Sequence, residues 1–485
     1  MPARRAHLTP RSSHGELAAV LAELREQFEV PTDFSSAALE EAAQAAPTEP
    51  ALDLRELTFV TIDPAGSRDL DQAFHLERCP AGFRLRYAIA DLPGFVRPGG
   101  ALDEEARLRG QTLYLPDGNV PLHPRELSEH RASLLAGEDR TAFVWTIDLD
   151  GDATVTGVRV ERASIRSRAQ LDYAGAQLAL DRGEAEGSLA LLPEFGALRI
   201  EQERLRGGAS LNMPDEEIVR GPDGYGIVRR FPLPIEQWNA QLSLLTGMAA
   251  GDMMVEGRIG VLRTMPAPGE DELDGFRDRV AALGTPWPRG VGYGDYLRSL
   301  DLSRVETPAV LQAAASLFRG SGYAAFDGEV PEGAVQAAIA APYAHVTAPL
   351  RRLVDRWGLV ICESLCAGRP VPEWVRESLP DLPGCMRAAG AKASQITSAA
   401  LDRVEAALLR DRVGEVLPAT VLEVRGERAR VQLSDPVVTA SCPAGGMRPG
   451  TSARVRVVRA DVPSGEVELE PVGPRSHARM EESSR

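Results

Sequence analysis

Between Asp63 and Asp71 the chain sets three aspartates around a bend at Pro64 and Gly66, directly after the apolar, strand-like run Leu57–Ile62. Side chains alternate along an extended segment, so Asp69 and Asp71 share one face, and the bend returns Asp63 towards them. Three carboxylates converging at a strand end repel one another, so the fold must leave them in water or bring positive charge to them. Oxygen ligands without a neighbouring His or Cys suit Mg²⁺ or Mn²⁺ better than zinc. A pair of such ions is the usual apparatus of in-line phosphodiester cleavage. Solvated acidic turns show the same spacing, so from spacing alone both readings stay open.

The remaining sequence points to an α+β, multidomain chain. Its 485 residues exceed what one core usually organises. Leu17, Leu21, Leu24 and Phe28 repeat at helical spacing, and Ser35 or Ser36 can cap a second helix through Ala37–Ala46. Strand-like segments then dominate early (Phe83–Ile89, Ala142–Asp148, Ala153–Arg159), and helical ones later (Ile235–Val255, Pro349–Leu365, Ser394–Arg412). From Gly414 to Gly473 the pattern becomes five short β-rich segments broken by Gly, Asp, Pro and Ser, which predicts a small OB-type barrel. The expected division is a small helical module at 1–56, helix-turn-helix-like as one candidate; a catalytic domain at 57–400; a helical linker at 401–413; the barrel at 414–473; and a disordered tail at 474–485.

Composition narrows the setting. Five scattered cysteines fit neither a disulfide framework nor a zinc site. The amino-terminal stretch lacks the apolar segment of a secretory signal, and no apolar run approaches a membrane span, so the expectation is a cytoplasmic protein with reduced thiols. The net charge of −16 speaks against a general nucleic-acid coat. Of 54 basic residues only Lys392 is lysine. The rest are arginines, whose planar guanidinium groups suit bidentate phosphate contacts.

Five collinear segments carry a resemblance: Thr61–Phe74; YAIADLPGFVRPGGALDEEARLRG; TLYLPDGNVPLHPRELSEHRASLLAGEDRTAF; SIRSRAQLDY; and YAHVTAPLRRLVDR. Together they resemble the RNB catalytic domain of the ribonuclease II and ribonuclease R family of 3′→5′ exoribonucleases. The resemblance implies hydrolysis of RNA from its 3′ end to nucleoside 5′-monophosphates with Mg²⁺, Mn²⁺ being the alternative ion. It matches Asp63, Asp69 and Asp71 to the family's metal-site aspartates and places Gln72 where a fourth aspartate stands. A glutamine carbonyl can still ligate a cation, but it is neutral and weaker for a hard ion. Arg351 matches the arginine at the scissile phosphate, with Asp355 as its expected brace and Arg352 as a contact to backbone phosphates. Tyr114 matches the tyrosine that stacks on a base near the 3′ end.

In the same family two cold-shock barrels commonly precede the catalytic domain, and the helical start of this chain is too short for them. The barrel at 414–473 takes the place of an S-one-type OB domain, yet it holds no Phe, Tyr or Trp. Base stacking on aromatic rings is therefore unavailable there, and its arginines are left to hold RNA weakly and salt-sensitively. RNA is the one partner expected, with no membrane and no obligate protein partner evident. The rival reading is a catalytically weak or silent RNB-fold protein that binds RNA.

Overall fold

The chain is described by a computed structural model over residues 16–209, 215–221, 224–302, 304–317 and 319–472. The expected tail at 474–485, and the part of the amino-terminal module before Glu16, lie outside the described residues.

Two helices come first, α1 (Glu16–Gln27) and α2 (Ser36–Gln44). Ser35 caps α2, its hydroxyl accepting the Ala38 N–H. The helices join different cores. Leu21 and Leu24 of α1 pack with Leu113, Leu115, Ile396 and Ala400, whereas Ala38 and Ala42 of α2 pack with Phe59, Leu70 and Leu102.

The central sheet comprises β1 (Leu52–Asp53), β2 (Phe59–Asp63), β3 (Gln72–Cys79) and β4 (Gly82–Ala90). After helix α3 (Ala101–Arg109) and the small hairpin β5 (Leu113–Leu115) and β6 (Gly118–Val120), it is completed by β7 (Asp139–Asp150) and β8 (Val155–Asp172). The strand order is β1-β8-β2-β3-β4-β7, and β8 also pairs with β7. The 18-residue β8 divides its length. Val155–Arg166 run antiparallel to β7, and Ser167–Asp172 run parallel to β2. One strand thereby curls the sheet back on itself. Antiparallel pairing of β2 with β3 sets the end of β2, with Asp63, beside the start of β3, with Gln72. The bend between them turns on Gly66, whose φ of +83° favours glycine over residues that carry a Cβ.

Helices α4 (Tyr173–Asp181), α5 (Gly187–Arg206) and α6 (Pro234–Gly257) follow. Their apolar faces join Phe83, Tyr87, Trp145 and Trp357 in the largest core. A Cβ on Gly251 of α6 would stand 2.6 Å from the Pro342 carbonyl carbon and 2.7 Å from the Tyr343 nitrogen. Those are backbone atoms that cannot rotate away, so Gly251→Ala should cost about 2 kcal/mol by overpacking. Thermal unfolding measures this; an unchanged melting temperature would show that the 342–343 segment retreats freely.

A long helix, Leu382–Leu409, runs without a break across the expected boundary at 400/401, because Ile396, Ala400, Leu401 and Val404 keep one buried stripe through it. Beyond it, the strands Val416–Arg425, Arg428–Leu433, Thr439–Pro443, Ser452–Asp461 and Glu466–Pro471 form the expected five-stranded sheet around its own core. Buried Glu405 accepts the Thr439 N–H at 3.1 Å and ties the long helix to that sheet. Among the described residues no helix is long and apolar enough to cross a membrane.

Candidate active site

The three aspartates enter the site from the β2–β3 bend, and their main counter-charge arrives from 280 positions downstream, since Arg351 lies beside Asp71 (351 − 71 = 280). Asp71 is 5% exposed. Its Oδ1 accepts the Leu350 N–H at 2.8 Å, and its Oδ2 lies 3.5 Å from Arg351 Nε. Burial pushes its carboxyl well above the usual range; Arg351 and the Leu350 amide oppose that push, while Asp69 and Asp355 add to it. Burial also raises Asp69, against the pull of Arg351 and of a hydrogen bond from the Tyr114 hydroxyl. Tyr114 thus stands in the site, reaching it from β5. Asp63 is pushed up to about 7 by burial and by Asp69, with Arg351 again opposing.

These shifts describe carboxylates that favour added positive charge. Asp63 Oδ2 is buried without a hydrogen-bond partner, and the donor set is all oxygen, so Asp63, Asp69 and Asp71 fit a hard divalent cation. Among the described residues no three His, Cys, Asp or Glu side chains already converge as a metal cage. The aspartates are electrostatic neighbours rather than a preformed one.

Protonation and cation binding compete for the same oxygens, so the concentration of a divalent cation needed to half-saturate these aspartates should rise as pH falls below about 7, where Asp63 takes up its proton. The sign for stability is the reverse. A carboxyl raised from 3.8 to about 7 on folding penalises the metal-free fold at high pH and relieves it as pH falls. Metal-free Asp63→Asn should therefore melt above the unsubstituted protein at pH 8, with the gap narrowing towards pH 4. A gap that widens on acidification would contradict the burial assigned to Asp63.

The arginine motif is built differently from its sequence pattern. The helix expected from Pro349 starts at Leu353 and runs to Cys366. Residues 348–352 instead form a turn held partly from outside: Asp355 takes the Ala348 N–H and Asp71 the Leu350 N–H, while the Arg351 and Arg352 N–H groups close on the Ala348 carbonyl. The Arg351 carbonyl accepts the Thr112 N–H, and Leu353 N–H bonds the Gly110 carbonyl. A chain pinned from both sides cannot wind into a helix there. The Thr347 hydroxyl lies 3.2 Å from Ser243 Oγ. Asp355 does not brace Arg351. Fully buried, it takes Arg352 in a bidentate pair at 2.9 and 2.8 Å, since Arg352 is the N-cap residue nearest to it. That leaves the Arg351 guanidinium partly exposed beside Asp71.

The Gln72 amide is hydrogen-bonded at both ends within the protein. Its Nε2 donates to the Thr347 carbonyl at 2.6 Å, its Oε1 accepts the Tyr87 hydroxyl, and Ser243 Oγ lies 3.4 Å from the same oxygen. The sequence gives no sign of Tyr87, Ser243 or Thr347 in this role, because they come from three separate segments. His345 is half-buried, with its Nδ1 2.8 Å from the Tyr323 hydroxyl.

Comparison with known proteins bears on this arrangement. The RNB domain matches residues 51–359, and the C-terminal S1 domain of RNase II-type exonucleases matches residues 415–472. The exosome complex exonuclease RRP44 homolog A of Arabidopsis thaliana is 29% identical over 327 residues, covering 62% of this chain and 34% of that protein. The chain spans about a third of the length of such curated relatives. Among solved structures, the apo form of Mycoplasma genitalium RNase R superposes with a TM-score of 0.85 at 17% identity, over 94% of this chain and 78% of that one. Yeast Ssd1, a pseudonuclease, does so at 0.70 with 14% identity, over 92% and 59%. At these identities the structural likeness is one of fold. The sequence match reaches further: it takes in the aspartate bend and Arg351 and spans more than half of the residues, and so this chain belongs to the RNB domain family and carries an RNase II-type S1 domain after it.

Proposed function

We propose that the protein is a 3′→5′ exoribonuclease that hydrolyses RNA to nucleoside 5′-monophosphates with Mg²⁺, or Mn²⁺ in its place. The observation that carries this reading is the meeting of buried Asp71 and half-buried Asp63 and Asp69 with Arg351 across one bend. A purely binding protein gains nothing from clustering negative charge where phosphates must lie. Asp63, Asp69 and Asp71 hold the cation, which when bound supplies an activated water and offsets charge on the scissile phosphate. Arg351 meets the phosphate oxygens as their charge grows. Tyr114, anchored through its hydroxyl, supports the terminal nucleotide, and Arg352 assists from its pair with Asp355.

The rival is a silent RNA binder, favoured by the absence of a preformed ligand cage among the described residues. A 5′-labelled single-stranded RNA with Mg²⁺ separates the two. Stepwise shortening with release of nucleoside 5′-monophosphates is the expected result, arrested by a chelator. Retardation without shortening would establish the binder.

A further inference from the structure

Resting on that reading, we infer that Gln72 is a positioning residue rather than a metal ligand: its amide clamps the turn that presents Arg351. The Thr347 carbonyl is an acceptor only, so the amide nitrogen must face it and the amide oxygen must face the hydroxyls. The orientation is fixed by chemistry. Thr347 is 3% exposed, and without the Gln72 N–H its carbonyl would lose the side-chain donor given to it here, leaving a costly buried acceptor. Ser243 Oγ lies 3.2 Å from Thr347 Oγ1 and 3.4 Å from Gln72 Oε1, so helix α6 closes the same network from the other side. Three elements, β3, α6 and the 347–352 turn, thus share one hydrogen-bonded knot four residues before Arg351 in sequence (351 − 347 = 4). An acidic side chain at position 72 has no N–H to give. A glutamate there should therefore damage this enzyme rather than improve it.

The test compares wild type with Gln72→Glu, which keeps the shape but removes the donor, and Gln72→Met, which removes the donor without adding charge. Amide hydrogen exchange is followed over residues 344–352 without metal or RNA, and kcat, KM and the Mg²⁺ half-saturation point are measured on labelled RNA. Faster exchange across the turn is expected in both variants. A fall in kcat of about tenfold or more should accompany it, with KM held within about twofold, because small misplacements of a catalytic group cost rate more than binding. In Gln72→Met the Mg²⁺ half-saturation point should stay within about twofold, since no ligand has been lost. Tighter Mg²⁺ binding or a higher kcat in Gln72→Glu would overturn the inference, as would unchanged exchange in both variants. Should Gln72→Met fail to fold, Ser243→Ala removes only the bridging hydroxyl and should loosen the same segment. If wild type leaves RNA intact, the exonuclease reading fails, while the exchange comparison still decides whether Gln72 holds the turn.

Discussion

Asp71→Asn is expected to slow single-turnover shortening of RNA by at least about 100-fold while leaving RNA affinity within a few-fold of wild type. The substitution preserves shape and can still accept the Leu350 N–H through its carbonyl oxygen. What it removes is the ionisable oxygen beside Arg351 and, on the function proposed above, one ligand of the cation. Asp71 is buried, so its charge acts in a medium that screens poorly and its loss is felt strongly. Retained binding with lost cleavage places Asp71 in the chemistry. Full activity in Asp71→Asn would remove the bend from the mechanism. Loss of binding and cleavage together would point to a collapsed turn, which circular dichroism and thermal unfolding would reveal.

Arg351→Met should lower kcat by about 100-fold or more, with a smaller change in KM, because a preorganised donor at the developing charge acts mainly in the transition state. Arg351→Lys should recover only part of that loss, since an ammonium lacks the guanidinium fork. Two carboxylates compete for the arginines here, and the structure divides them: Asp355 secures Arg352, and Asp71 faces Arg351. The division predicts a contrast. Asp355→Asn should release Arg352 and loosen the Ala348 amide, so its damage should appear as lowered thermal stability along with lowered rate. Arg351→Met, which strips the counter-charge from buried Asp71, should lower the melting temperature mainly where the aspartates are ionised and recover it on acidification, unlike Asp355→Asn. An Arg351→Met variant with unaltered kcat would mean that another cation meets the phosphate.

The site was partly legible before any coordinates. The aspartates are local, held within nine residues by a strand and a turn whose rules are short-ranged, and the S1 strands likewise alternate and break where their turn residues stand. Ser35 could be read as a cap because capping needs only the next three residues.

What escaped the sequence is what depends on partners far along the chain. The helix expected from Pro349 begins at Leu353 because Asp71, Asp355, Thr112 and Gly110 claim the backbone of the preceding turn. Asp355 looked one helical turn from Arg351, but with no helix there its geometry favours Arg352. Gln72 reads in sequence as a weakened ligand beside three strong ones, and its hydrogen bonds to Tyr87, Ser243 and Thr347 come from three segments that the sequence alone does not bring together. Composition and spacing thus determined which groups carry charge and which strand end gathers it, since those follow from bonds between neighbours. Which donor meets which acceptor was decided only when segments hundreds of residues apart were packed together, because hydrogen-bond direction and burial are properties of the closed fold.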